Sequence, residues 1–114
     1  MKFVTNYREF NEEKNAPSVR SEISDHEIVL KENILKYMRS FEDDVVCPSK
    51  VYDVIQNKVT TVPLVYYTDG EFIWDERDIY HFEKYNIHLN NEFIHKIHDK
   101  KCIFRDKIEL NYAK

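Results

Sequence analysis

The sequence predicts an α+β fold, a small antiparallel sheet built on a central hairpin with three helices packed against it. Three observations carry this expectation. The chain's one glycine, Gly70, follows Asp69 between two runs rich in aromatic and β-branched residues. An Asp-Gly pair there marks a tight hairpin, because both central residues of the turn take positive φ, which Gly accepts freely and Asp tolerates. Leu30, Ile34, Tyr37, Met38 and Phe41 repeat at helical spacing before the hairpin, and two capped segments of helical pattern follow it. A chain of 114 residues reads as a single domain, 1–114, long enough to bury one core without staples.

Lys2 to Tyr7 suits a short strand. Glu9 to Glu22 is polar, contains Pro17 and keeps no steady period, so residues 1–23 read as a strand and a loosely held arm. Ser24-Asp25-His26-Glu27 has the form of a capping box, with Ile23 and Ile28 at the spacing of a hydrophobic staple. The helix it opens is expected over 25–41. Val45-Val46-Cys47 and Val51 to Ile55 are β-branched runs divided by Pro48-Ser49, which suits two strands or one interrupted edge strand. Gln56 to Thr61 reads as a connection.

A two-residue turn at Asp69-Gly70 pairs Thr68 with Glu71 and Tyr67 with Phe72. One hairpin face then shows Leu64, Tyr66 and Ile73, and the other Val65, Tyr67, Phe72 and Trp74. Neither face is polar. Either helices cover both, or one aromatic face meets a partner. Asp75 caps the next helix, with Trp74 and Ile79 as staple, and Asn86 is its left-handed stop after Tyr85. Asn90 caps another that runs toward Lys101, with Leu89 and Ile94 as staple. Ile108, Leu110 and Tyr112 alternate with Glu109 and Asn111, as in a last strand.

Composition excludes several function classes. A single glycine leaves no Gly-rich loop to cradle a phosphate. Cys47 and Cys102 are far apart and form no Cys-x-x-Cys pair, which suits free thiols in a reducing cytosol. No apolar run has the length of a signal peptide or a membrane span, so a cytoplasmic chain with no membrane contact is expected. The net charge of −4 argues against a general nucleic-acid binder.

Charge is unevenly placed. Residues 69–83 hold six acids against the one base Arg77, whereas residues 84–114 hold seven bases against four acids. His95 and His98 stand one helical turn apart, but two imidazoles fall short of the three ligands a zinc site needs. No nucleophile elbow or Gly-x-Ser-x-Gly is present. Neither a catalytic residue, a metal site nor a cofactor is therefore expected. The densest constellation is Asp69, Glu71, Asp75, Glu76 and Asp78 around Tyr67 and Trp74. Such acids steer a basic partner and such rings anchor it. The structural alternative has Trp74 in the core and the acids serving the helix start. A second functional reading sets Lys96, Lys100, Lys101, Arg105 and Lys107 against nucleic acid or an acidic protein, as an adaptor would. An exposed edge or face leaves a homodimer open.

Tyr37-Met38-Arg39-Ser40, Thr68 to Trp74, Tyr80 and Leu89-Asn90-Asn91-Glu92-Phe93 resemble a family of small bacterial proteins over residues 34–98. Some members are similar to immunity proteins of contact-dependent inhibition or other polymorphic toxin systems. The resemblance implies a binding protein that neutralises a cognate toxin, and the acid cluster suits a toxin with a basic surface, a nuclease with a cationic cleft for example. It brings no catalytic motif, and residues 1–23 and 103–114 lie outside it.

Overall fold

The computed structural model describes residues 2–24, 28, 30–42 and 45–99. Its sheet comprises β1 (Lys2–Phe3), β2 (Val45–Asp53), β3 (Lys58–Thr68) and β4 (Phe72–Asp75), in the order β1-β4-β3-β2. The last three form an antiparallel meander, and β1 joins the outer side of β4 in parallel. The α+β class is as expected. The sheet is mixed rather than purely antiparallel, because the N-terminal strand lies alongside β4 in the same direction.

The hairpin register differs from expectation. Thr68 pairs with Ile73, Tyr67 with Trp74 and Tyr66 with Asp75, so four residues, Asp69 to Phe72, separate the first paired positions of β3 and β4 rather than two. Side chains decide this. Asp69 Oδ1 accepts the N–H groups of Glu71 (2.9 Å) and Phe72 (2.7 Å), and Thr68 Oγ1 accepts that of Gly70 (3.0 Å). These bonds satisfy backbone donors that a shorter loop would leave in the ladder. Gly70, at φ 96°, supplies the left-handed turn. A shift of two residues preserves strand alternation. The two faces therefore keep the membership read from the sequence.

One face of the β3–β4 hairpin is covered. Val65, Tyr67, Phe72 and Trp74 are buried. Over them lie α2 (Lys31–Met38) and a helix over 91–99, through Tyr37, Met38 and Phe93. Trp74 is the centre, with Phe93 and Phe41 ring centroids at 5.3 and 5.5 Å and its indole N–H donating to the Met38 carbonyl at 3.1 Å. The 91–99 helix is capped as expected, with Asn90 Oδ1 accepting from Glu92 N at 2.8 Å. The helix Glu76–Tyr85 has its Asp75–Asp78 capping box and its left-handed Asn86.

Three local expectations need correction, and one open alternative is decided. The helix expected from 25 is described only over Lys31–Met38, and the preceding Leu30 is left-handed at φ 58°; Asp25, His26 and Glu27 lie outside the described residues. Of the two alternatives for Val45 to Ile55, the interrupted edge strand is the one formed, as β2 with register shifts flanking Lys50. β3 begins at Lys58 and absorbs most of the expected connection, since Val59, Thr60, Thr61 and Val62 are good strand formers once β2 offers a partner. The N-terminal arm is not loosely held. It contains a helical turn, α1 (Arg8–Asn11), and a 3₁₀ turn (Val19–Glu22), and buries Val4, Tyr7, Phe10, Ala16 and Val19. Arg20 reaches the Val54 carbonyl, and Glu9 accepts the Val19 N–H at 2.9 Å. The expected last strand, Ile108 to Tyr112, lies outside the described residues.

His81 joins Glu76–Tyr85 to the β2–β3 turn. Its buried ring donates through Nδ1 to the Arg77 carbonyl (2.8 Å) and accepts the Val54 N–H at Nε2 (3.2 Å). Burial pushes its pKa below the ordinary 6.5, the Arg77 charge adding to this while the Arg77 carbonyl, Asp53 and Asp75 oppose it. A proton at Nε2 would face the Val54 N–H. The unfolded chain thus binds that proton more readily, and stability is lost as pH falls below the unfolded value. The denaturation midpoint should fall between about pH 7.5 and about pH 5.5, and His81→Gln, less stable at neutral pH, should flatten that part of the profile. An equal slope in both proteins would assign the effect elsewhere.

Candidate functional site

The expected acidic surface is largely consumed by the fold. Asp69 has a side chain only 2% exposed, and its Oδ2 accepts from the Tyr37 hydroxyl and from Lys96 Nζ at 2.9 Å. Burial alone would raise its pKa, but Lys96, the turn amides and Tyr37 hold it at about 2. Asp75 accepts from the N–H groups of Arg77 and Asp78 and pairs with the Arg77 guanidinium at 2.9 Å. Asp78 is buried, takes the Asp75 N–H at 3.1 Å and accepts the Thr5 hydroxyl. Burial, then the neighbouring Asp75, pushes its pKa well above the carboxylate range. Glu76 accepts the Tyr67 hydroxyl and is half-buried. Glu71 alone is exposed, and it pairs with Lys96 at 3.0 Å.

These placements correct the expected site. Tyr67 and Trp74 are core residues, not surface anchors. Asp69, Asp75 and Asp78 point at backbone donors, which leaves Glu71 and Glu76 to face solvent. The reason is local: the carboxylates that make a turn and cap a helix must aim at free N–H groups. Lys96 is likewise engaged, and Lys100, Lys101, Arg105 and Lys107 lie outside the described residues.

On the opposite face of the β3–β4 hairpin Leu64, Tyr66, Thr68 and Ile73 are only half-buried. Register places Phe3, Ile73 and Thr68 on one side, together with Tyr66 and Val45. Phe3 is 59% and Val45 51% exposed, while Tyr66 and Ile73 are half-buried. Beside them a cavity of about 210 Å³ opens between the sheet and the first helical turn. Phe3, Tyr66 and Ile73 form its sheet wall, Phe10 its helical wall, and Arg77 and Asp78 its polar end. Arg77 lies over the Phe10 ring, 5.5 Å from its centroid. The sequence signalled this face through the parity of Tyr66 and Ile73. It gave no sign of Phe3 and Phe10, which arrive by the parallel pairing of β1 and the folding-in of the arm.

His95 and His98 lie on the 91–99 helix, and among the described residues no three His, Cys, Asp or Glu side chains are grouped to hold a metal ion. No helix among the described residues is long and apolar enough to cross a membrane. No family model, curated protein or solved structure matches the chain.

The buried carboxylates predict stability effects. Asp69→Asn should lower unfolding free energy by about 2–4 kcal/mol, because it weakens a buried charged network that holds turn, α2 and the 91–99 helix. Asp75→Ala should cost about 1–2 kcal/mol through the lost cap. Chemical denaturation checks both, and a change within about 0.5 kcal/mol for either would return that carboxylate to the surface.

Proposed function

We propose that this chain is an immunity-type binding protein that neutralises a cognate toxin by covering its active site or substrate cleft. The reading asks no bond chemistry of the chain. The observation that supports it best is the open apolar face of the sheet, where Phe3 and Val45 stand exposed beside half-buried Tyr66 and Ile73. Clustered apolar and aromatic surface of this kind is characteristic of protein contacts. The resemblance over residues 34–98 supports the same class of partner. The net charge of −4 favours encounter with a basic toxin, such as a nuclease with a cationic cleft, through the whole-molecule field rather than through a dedicated acidic patch. The proposal places the chain in the cytoplasm, where Cys47 remains a free thiol.

The tagged chain should retain, from lysate of its source organism, one stoichiometric protein that is toxic alone and harmless on co-expression. Phe3→Glu with Val45→Glu should weaken that complex by more than about tenfold, with little loss of stability because both side chains are already exposed. Rescue from toxicity undiminished in the double variant would move the contact off this face. A captured protein without toxicity would overturn the immunity role.

A further inference from the structure

The cavity on the open face takes the proposal further, and the identity of its occupant rests on that reading. We infer that it receives one uncharged aromatic side chain of the partner, most suitably a tyrosine, with the ring against Phe3 and Phe10 and the polar tip toward Arg77 and Asp78.

Size comes first. The cavity measures about 210 Å³. Sites for drug-sized molecules run to about 300–1,000 Å³, whereas an apolar cavity of about 150 Å³ takes benzene. One ring with a small substituent matches this space. Its walls suit a ring as well, since the rings of Phe3, Phe10 and Tyr66 and the aliphatic side chain of Ile73 all line it. Phe3 is more than half exposed, and a ring set against it would remove apolar area from water on both partners.

Charge decides the class of occupant. Arg77 is already paired with Asp75, and Asp78 is satisfied by the Thr5 hydroxyl and the Asp75 amide. A cation would meet Arg77 and an anion would meet Asp75, each at short range. Arg77 Nη1 makes no hydrogen bond among the described residues, so a donor remains for a phenolic oxygen. An uncharged ring carrying one acceptor satisfies both the walls and that donor.

The test uses p-cresol, the tyrosine side chain as a free molecule, followed by amide NMR on the full chain. Saturable shifts should centre on Phe3, Phe10, Tyr66, Ile73, Arg77 and Asp78, with benzoate and benzylammonium at least about threefold weaker. Ile73→Trp, which fills the cavity, and Phe3→Ala, which removes an exposed wall and spares the core, should each abolish saturation and weaken toxin binding by about tenfold. No saturable cresol shift, or equal binding of the charged rings, overturns the cavity assignment even where neutralisation of a toxin persists. Cresol binding with no toxin neutralised overturns the partner as source, here and in the preceding proposal, and makes the occupant a free aromatic molecule. Cresol binding with toxin affinity unchanged in both variants overturns the side-chain occupant while the immunity role stands.

Discussion

The fold depends on the Asp69 carboxylate. One oxygen holds the turn amides of Glu71 and Phe72, and the other holds the Tyr37 hydroxyl and the Lys96 ammonium. Four groups from the turn and two helices thus converge on one buried charge. A carboxylate out of water is tolerated only with such company. The same bonds set the length of the β3–β4 turn, and with it the register that brings Trp74 opposite Tyr67 beneath α2 and the 91–99 helix. Core and hairpin are therefore one problem with one solution.

A second buried carboxylate plays the equivalent part at the far end of the sheet. Asp53 accepts from the amides of Ile55 and Gln56 and from the hydroxyls of Tyr80 and Tyr85. Burial opposes its charge, but those donors hold its pKa far below the usual range. It shapes the β2–β3 turn and fastens that turn to the helix Glu76–Tyr85, beside the His81 contact. Each hairpin turn in the meander is thus organised by an Asp whose second oxygen reaches a helix. With one glycine available, side-chain acceptors do the work that backbone freedom does elsewhere.

This explains what could be read in the sequence. Asp75, Asn86 and Asn90 act through backbone groups within a few residues, so their roles follow from spacing alone. Asp69 was legible as a turn residue but not as the tether of two helices, because Tyr37 and Lys96 lie 32 and 27 residues away. The N-terminal arm was illegible for a related reason. Tyr7, Phe10 and Val19 obey neither a helical nor a strand period, since each is buried by a different contact: a bond to the His88 carbonyl, a ring against His81, and the Glu9 loop closure. Irregular spacing conceals burial that regular elements advertise. The acid cluster misled in the opposite direction, since turn and cap duties that were each visible in the sequence consumed the charge expected to meet a partner.

The geometry also separates the sheet's edge from its face. β2 is a poor template for another strand, because Pro48 interrupts its donors and register shifts flank Lys50. Such features oppose open-ended strand addition, and hence edge-to-edge pairing of two copies. They do nothing to cover Phe3, Val45, Tyr66 and Ile73, which project perpendicular to the ladder. A chain that blunts its edge while leaving an apolar face open is suited to side-chain contact with a shaped partner rather than to backbone pairing. The cavity sits where that face meets the N-terminal arm, so the segment read from the sequence as a strand and a loosely held arm supplies, through Phe3 and Phe10, two of its aromatic walls.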